Sequence, residues 1–448
     1  MKALIIAALA GLAALPAGAQ TAAPTAPRPA TVTYIHAGKL LDRPGRPPRG
    51  NATIVVRDGK VVEVRDGFSA PEGGATLVDL KDRFVLPGLI DLHVHLFSDD
   101  DKLKARLEAT TRDEVDTMFV GLRNARVDLL AGFTTVRDLG SAPRAIRALR
   151  DAIERGDAAG PSIVNAGAGI SVTGGHGDSS NGLNAEVAEV VHARQMNVCD
   201  GADDCRRAVR AQIGLGAQVI KMAVTGGVLS NVQGGLGKQM TDDEIKAVVD
   251  TAHAFGRKVA VHSHAAEGTA AALAAGADTI EHGTYLDDRT IALFKAKGAW
   301  LVPTEIAPVA ALANARAGLL PPAILPKAEQ AAAAMFANHQ KAFRAGVKFA
   351  FGTDTGVSKH GENAQEFALL VKLGMTPMQA IHTATVDAAE VLDKTAELGT
   401  LEPGKWADII AVGGDPLADV TTLERVDFVM RRGVVHKAGG RPQGFVGR

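Results

Sequence analysis

The chain has 448 residues, too long for one small domain and long enough for a large β/α barrel plus an accessory unit. Hydrophobic residues make up 46% and aromatics only 4%, so a sizeable core is expected, built mostly from small aliphatic side chains. A formal net charge of −1 with no long basic run gives nucleic-acid binding no electrostatic support.

The N-terminus has the form of an export signal over residues 1–19. Lys2 supplies the positive start, Ala3 to Leu15 form an apolar run, and Ala17-Gly18-Ala19 is a small-residue cleavage site before Gln20. The alternative is a membrane anchor, but the run is short for a transmembrane helix, and no later stretch is apolar for long enough. The expectation is an exported chain, periplasmic or secreted, with no stable membrane insertion after cleavage. Residues 20–30, rich in Pro, Ala and Thr, read as a flexible mature N-terminus.

Residues 31–82 read as short strands. TVTYIHAGKLLD is one, and NATIVVRDGKVVEV is a hairpin with Asp58-Gly59 at its tip. Residues 396–448 have the same character: ADIIAVGGD, then FVMRRGVVHKAG with a turn at Gly433. The two ends are expected to form one small β-sandwich domain around the segment between them.

That segment, residues 83–395, alternates strand and helix. Eight strands are expected: FVLPGLIDLHVH, TTVRD, SIVNAG, AQVIKMA, KVAVHSH, DTIEHG, AWLVPT and VKFAFGTD. Helical stretches such as RRAVRAQIGLG and DDEIKAVVDTAHAFG separate them. Eight β/α units predict an α/β fold of the (β/α)8 TIM-like barrel type, whose chemistry sits at the C-terminal ends of the strands.

Those ends carry an unusual set. The first strand ends in His93-Val94-His95, the fourth in Lys221, the fifth in His262-Ser263-His264, the sixth in His282 and the eighth in Asp354. Residues two apart on a strand share a face, so His93 and His95 can reach one metal together. Taken singly, each has an ordinary reading: a hydrogen-bonded structural histidine, a solvated lysine, an aspartate capping a helix. Their joint placement on one rim is what those readings do not predict. His36, His192, His253, His339, His382 and His436 fall outside the pattern and read as structural or surface residues.

PGLIDLHVH, VIKMAVTGG, VAVHSHA, TIEHGTYLDD and FGTDTG, in that order, resemble the successive motifs of the metal-dependent amidohydrolase superfamily. Within it the chain is most similar to the Xaa-Pro dipeptidase-like and ochratoxin-hydrolysing amidohydrolases. The resemblance implies a binuclear metallo-hydrolase that cuts the amide bond beside a terminal amino acid. Its substrates would be dipeptides, N-acyl amino acids or ochratoxin-like amides. It implies that His93 and His95 bind the more buried metal and that His262 and His282 bind the more exposed one. Lys221, N6-carboxylated, would bridge the two, and Asp354 would ligate the buried metal and handle the proton. His176 in TGGHGD and His264 would face substrate, and Tyr285 would contact it and polarise the scissile carbonyl. Related proteins also imply a homo-oligomer.

A charge count fits this set. Two divalent cations, set against Asp354, a lysine carbamate and a bridging hydroxide, leave a site of about +1, whereas an ammonium at Lys221 would repel both metals. Such a pair lowers the pKa of bound water toward ~7. Zinc suits imidazole and carboxylate ligands, although manganese, iron and cobalt are not excluded by ligand type.

Other features have two readings each. TGGHGDSSNG and TGGVLSNVQGGLGK are either mobile connections or substrate walls, and their length favours walls. GGLGK lacks the spacing of a phosphate loop. Arg137-Asp138 reads as a structural ion pair near the site, and Ser98 as a pocket residue or a helix cap. Cys199 and Cys205 form a disulfide or remain free thiols. On the same scaffold, cyclic amides, lactones or organophosphate esters are the alternative substrates. A ligand-binding protein without catalysis would not need Asp354 beside every metal ligand.

Overall fold

In the computed structural model, residues 32–444 are described, except Asp100, scattered positions between 102 and 109, and the segments 230–234 and 320–323. The expected signal and flexible N-terminus lie outside the described residues.

Strands β1 (Val32–Leu40), β2 (Ala52–Arg57), β3 (Lys60–Asp66) and β4 (Thr76–Pro87) open the fold. β2 and β3 pair antiparallel around Asp58 (φ 50°) and Gly59 (φ 80°). Two successive left-handed residues are what a two-residue hairpin turn requires, which explains the Asp-Gly pair. β4 passes directly into β5 (Leu89–Val94) at Gly88, where a Cβ would lie 2.2 Å from Thr134 Oγ1. The stretch FVLPGLIDLHVH, read as one strand, is therefore the end of one and the whole of the next.

β5 leads β6 (Phe133–Asp138) and β7 (Ser162–Asn165) in one parallel sheet. A second parallel sheet runs through β8 (Ile220–Ala223), β9 (Val259–Ser263), β10 (Thr279–His282), β11 (Trp300–Val302) and β12 (Lys348–Phe349). Each end of one sheet meets an end of the other. Ile170, after β7, bridges to Met222 of β8, and Val94 of β5 bridges to Thr355, after β12. The Asp354 N–H donates to the His93 carbonyl at 2.7 Å across that second junction.

Helices fill the connections: α1 (Glu114–Leu130), α2 (Pro143–Arg155), α3 (Ala185–His192), α4 (Ala202–Gly214), α5 (Asp242–Ala254), α6 (Ala266–Ala275), α7 (Asp288–Lys297), α8 (Ile306–Arg316), α9 (Ile324–Arg344) and α10 (Gln365–Leu373). α2 shows why such segments are helical. Pro143 stands in its first turn, Gly156 ends it in the left-handed region, and Ala145, Ile146, Leu149 and Ile153 bury one face. Each large aliphatic side chain buried in this way contributes roughly 1.5–3 kcal/mol.

The chain then returns to its start. β13 (Ile409–Val412) pairs antiparallel with β4, followed by β14 (Val426–Arg431), β15 (Val434–Ala438) and β16 (Arg441–Pro442). Both chain ends thus share one eight-stranded sheet, in the order β16-β15-β14-β13-β4-β1-β2-β3. Ile35, Ile54, Val85, Ile409 and Phe428 pack together as its own core. The two hairpin tips meet back to back: a Cβ on Gly433 would lie 2.7 Å from the Gly59 Cα, so neither turn accepts a larger residue. β4 itself crosses the domain boundary expected between residues 82 and 83.

Candidate metal centre

His93 and His95 end β5, and strand alternation turns both toward the same space. The His93 ring is held through Nδ1 by the Glu281 carboxylate at 2.9 Å, which leaves Nε2 facing Lys221 Nζ and Asp354 Oδ1, each at 3.4 Å. His95 holds the Gly140 carbonyl through Nδ1 (3.2 Å) and turns Nε2 to Asp354 Oδ1 (3.1 Å). His282 bonds Thr304 Oγ1 through Nδ1 (2.8 Å), and His264 bonds Thr284 Oγ1 through Nδ1 (2.7 Å). Four imidazoles are therefore each pinned at one nitrogen, so the other points into the shared space.

Two ligand triads result. His93, His282 and Asp354 bring one ligating atom each within 4.8 Å of one another, and so do His262, His264 and His282. Lys221 stands beside the first of these, against His93. His93, His95, Lys221, His262, His282 and Asp354, the set the resemblance implied as ligands, all line one cavity. His264 lies at a ligand's distance from His262 and His282, whereas the sequence reading gave it to substrate.

Electrostatics puts these groups in a metal-binding state. Burial, reinforced by the Lys221 charge, lowers the His93 imidazole to about 4. Burial and the neighbouring rings hold His262 and His282 well below the ordinary histidine value. Burial works against ionising Asp354, but the surrounding imidazoles outweigh it and hold its carboxyl well below the usual range. Burial also lowers the Lys221 amine to about 8, with Arg137 assisting and Glu281 and Asp354 opposing. Neutral imidazoles and an ionised carboxylate present lone pairs, and an amine near neutrality can accept carbon dioxide. This donor set fits divalent cations.

Support behind the ligands was not visible in the sequence. Glu281 is fully buried and joins His93 Nδ1 to Arg137 Nη2, the latter at 2.9 Å. Burial disfavours its charge, but Arg137 and His93 outweigh burial and bring its carboxyl to about 2. The ion pair expected between Arg137 and Asp138 is replaced by this one. Successive strand residues face opposite sides, so Arg137 reaches Glu281, while Asp138 accepts from the Leu96 N–H and the Ser141 hydroxyl. His339, read as structural, reaches the His282 carbonyl through Nε2 (2.5 Å) and Glu305 through Nδ1 (2.7 Å). His282, Thr304 and Asp354 have positive φ (70°, 55° and 58°), a conformation that non-glycine residues rarely adopt, so the rim carries backbone strain at three positions.

A cavity of about 720 Å³ opens above these groups. His176 lines it and stacks on His262, with ring centroids 4.1 Å apart. Gly227 makes room for that ring, since a Cβ there would lie 2.4 Å from it. The TGGHGDSSNG loop is a built wall: Asp178 accepts from the Gly174 N–H, the Ser180 N–H and hydroxyl, and the Gln195 amide. Ser98 lines the cavity too, but Tyr285, half-buried, is not among its lining residues; its N–H donates to the His264 carbonyl at 2.9 Å. Lys238 of GGLGK bonds Asp242 at the start of α5. Cys199 and Cys205 form a disulfide. Among the described residues no helix is long and apolar enough to cross a membrane.

Comparison with known proteins shows the family to which the chain is related. Residues 84–435 match the model of the amidohydrolase family. The chain is 32% identical over 429 residues to the ochratoxinase of Aspergillus niger, covering 92% of this chain and 88% of that protein. The crystal structure of that ochratoxinase superposes with a TM-score of 0.80 at 30% identity, over 91% of this chain and 96% of the other. The crystal structure of a Xaa-Pro dipeptidase with methionine bound in its active site gives a TM-score of 0.85 at 37% identity, over 91% of this chain and 100% of the other.

Proposed function

Because the chain belongs to the amidohydrolase family, we propose that it hydrolyses the amide bond beside a terminal amino acid, as in dipeptides, N-acyl amino acids or ochratoxin-like amides. The observation that carries this reading is the pinned set of imidazoles around Lys221 and Asp354 at the floor of one cavity. The paired sheets fit a closed (β/α)8 barrel, with the eight-stranded sheet as the β-sandwich unit beside it.

His93, His95 and Asp354 would hold one divalent cation and His262 and His282 a second, with Lys221, N6-carboxylated, between them. When bound, the cations, zinc by ligand preference, act as Lewis acids that polarise a carbonyl and acidify water. Asp354, kept ionised at the floor, accepts the proton of the attacking water and delivers it to the leaving nitrogen. His176 meets the substrate from the loop wall. Tyr285 follows the cavity residue Thr284, and burial raises its phenol; it does not itself line the cavity, so to donate to the developing oxyanion its ring would have to turn inward. The export signal and the disulfide, which suits an oxidising compartment, support a periplasmic or secreted location, and the resemblance supports a homo-oligomer.

The test is metal removal and return. Chelation should abolish hydrolysis of a panel of dipeptides and N-acyl amino acids, and added zinc, cobalt or manganese should restore it. If the metal-loaded protein hydrolyses lactones or cyclic amides but no member of that panel, the reading is wrong.

A further inference from the structure

Helix α9 lines the cavity through Met335. Three and four residues later, on the same face, Asn338 and His339 turn instead to the strand that carries the ligands. They hold two carbonyls, one at the end of β10 and one just past it. The Asn338 amide donates to the Thr284 carbonyl at 2.8 Å, and His339 Nε2 reaches the His282 carbonyl. His339 is fully buried, and its Nδ1 meets Glu305 Oε1 at 2.7 Å. Glu305 adjoins Thr304, whose Oγ1 holds His282 Nδ1 at 2.8 Å. The path from the His282 carbonyl through His339, Glu305 and Thr304 therefore closes on the His282 ring. A further helix fixes that path: Glu366 on α10 accepts the N–H groups of Glu305 and Ile306 at 2.9 and 2.8 Å.

We infer that Asn338 and His339 are positioning residues for the metal centre: through them α9 sets the direction of His282 and, by way of Thr284, of His264. The inference deepens the amide-hydrolase reading and rests on its metal centre. Three observations carry it. His282 is the member common to both ligand triads, so its direction matters to each. It also sits at φ 70°, followed by Gly283 at φ 63°. A histidine keeps a left-handed backbone only where its surroundings impose it, and here its carbonyl and its ring are held at once. The second observation is that Thr284, held by Asn338 at its carbonyl, holds His264 Nδ1 through Oγ1 at 2.7 Å. The third is the chemistry of the support. Burying His339 against Glu305 takes two polar groups out of water, a cost that apolar packing would avoid. What the polar pair adds is a fixed direction for the His282 carbonyl.

The test follows cobalt binding to the full-length protein, read by calorimetry and by visible absorption, which reports how the ion is coordinated. His339→Phe keeps a ring in place but breaks both of its bonds. It should weaken cobalt binding about 10–100-fold and alter the absorption of the bound ion. His339→Gln keeps a donor for the His282 carbonyl and should recover most of that loss. Asn338→Leu should weaken binding by about ten-fold and alter the absorption in turn. Gln340→Leu breaks a bond from the same helix to the Leu373 carbonyl (3.3 Å), away from the ligands, and should change neither reading. Unchanged affinity and absorption in folded His339→Phe, or in Asn338→Leu where His339→Phe does not fold, would overturn the inference. Equal losses in His339→Phe and His339→Gln, or a like loss in Gln340→Leu, would overturn it too, since packing alone would then account for the effect. Because cobalt binding needs no turnover, a protein that binds cobalt yet cleaves no amide would lose the hydrolase reading and leave this result standing.

Discussion

The floor and the α8–α9 wall of the same cavity are built on opposite principles. At the floor every direction is fixed: His93 by Glu281, His95 by the Gly140 carbonyl, His282 by Thr304, His264 by Thr284. At the wall, Ala307 and Ala311 of α8 and Ala328, Ala331 and Met335 of α9 line the cavity with no polar side-chain atom among them. Reaction chemistry depends on lone-pair directions, which only hydrogen-bonded rings keep. The wall leaves volume empty instead, where its side chains end at a Cβ. Substitutions at the floor should therefore strike turnover and metal affinity, and those on the walls should strike substrate binding.

The largest effect is expected at Asp354. Asp354→Asn removes the proton acceptor and should lower kcat by roughly a hundred- to ten-thousand-fold, with a much smaller change in KM. Steady-state kinetics on metal-loaded protein decides this; a change confined to KM would move Asp354 from chemistry to binding.

Glu281 comes next, because it serves both His93 and Arg137. Glu281→Gln leaves a buried guanidinium without its anion, at a cost of about 3–5 kcal/mol in stability, and should weaken metal binding about 10–100-fold. A double variant, Arg137→Met with Glu281→Leu, should recover much of the stability without recovering metal affinity. Chemical denaturation and competitive metal titration separate the two. Recovery of both would mean that Glu281 matters only as Arg137's partner.

The floor was largely legible in the sequence and the wall was not, for physical reasons. Strand geometry converts His93-Val94-His95 into two ligands on one face without knowledge of anything distant. The Arg137–Glu281 contact joins residues 144 positions apart, and no local rule pairs them. The adjacent Asp138 drew the sequence reading because proximity along the chain was mistaken for proximity in space. The alanine spacing on α8 and α9 was present in the sequence too, but an alanine stripe reads the same whether it packs a helix or lines a cavity. Glycines were more informative: Gly59 and Gly433 marked two turns that the structure brings into contact.

The loop wall offers a middle case, ordered by covalent and hydrogen bonds away from the metals. Asn197 donates to the carbonyls of Gly169 (2.8 Å) and Gly177 (3.2 Å), which flank His176, and the Cys199–Cys205 disulfide begins two residues later. Replacing both cysteines by serine releases a short loop and should cost about 2 kcal/mol in stability. If that loop positions His176, KM should rise several-fold while kcat holds. Equal loss of both would tie the disulfide to the floor instead.

The smallest effect expected is a pH dependence carried by His360, beneath the wall near Ser98. Its Nδ1 meets the Asp128 carboxylate at 2.9 Å and its Nε2 the Ser98 carbonyl at 3.1 Å. Burial lowers its pKa, but Asp128 and the Ser98 carbonyl outweigh burial and leave it above the ordinary value of 6.5. A group whose pKa rises on folding stabilises the protein most when it is protonated in both states. The His360 contribution is therefore complete below pH about 6.5 and fades as pH climbs through its raised folded value. Asp178 behaves in the opposite sense. Burial disfavours its charge, yet bonds from Ser180, Gln195 and the Gly174 N–H hold it at about 2, so its contribution disappears only as pH falls through the acid range. The stability gap between the wild-type protein and His360→Asn should be widest near pH 6 and narrow toward pH 9 in denaturant titrations. A gap that is constant across that range would mean His360 acts as a neutral hydrogen-bonding ring, and the wall beneath Ser98 would be as indifferent to pH as the alanines of α8 and α9.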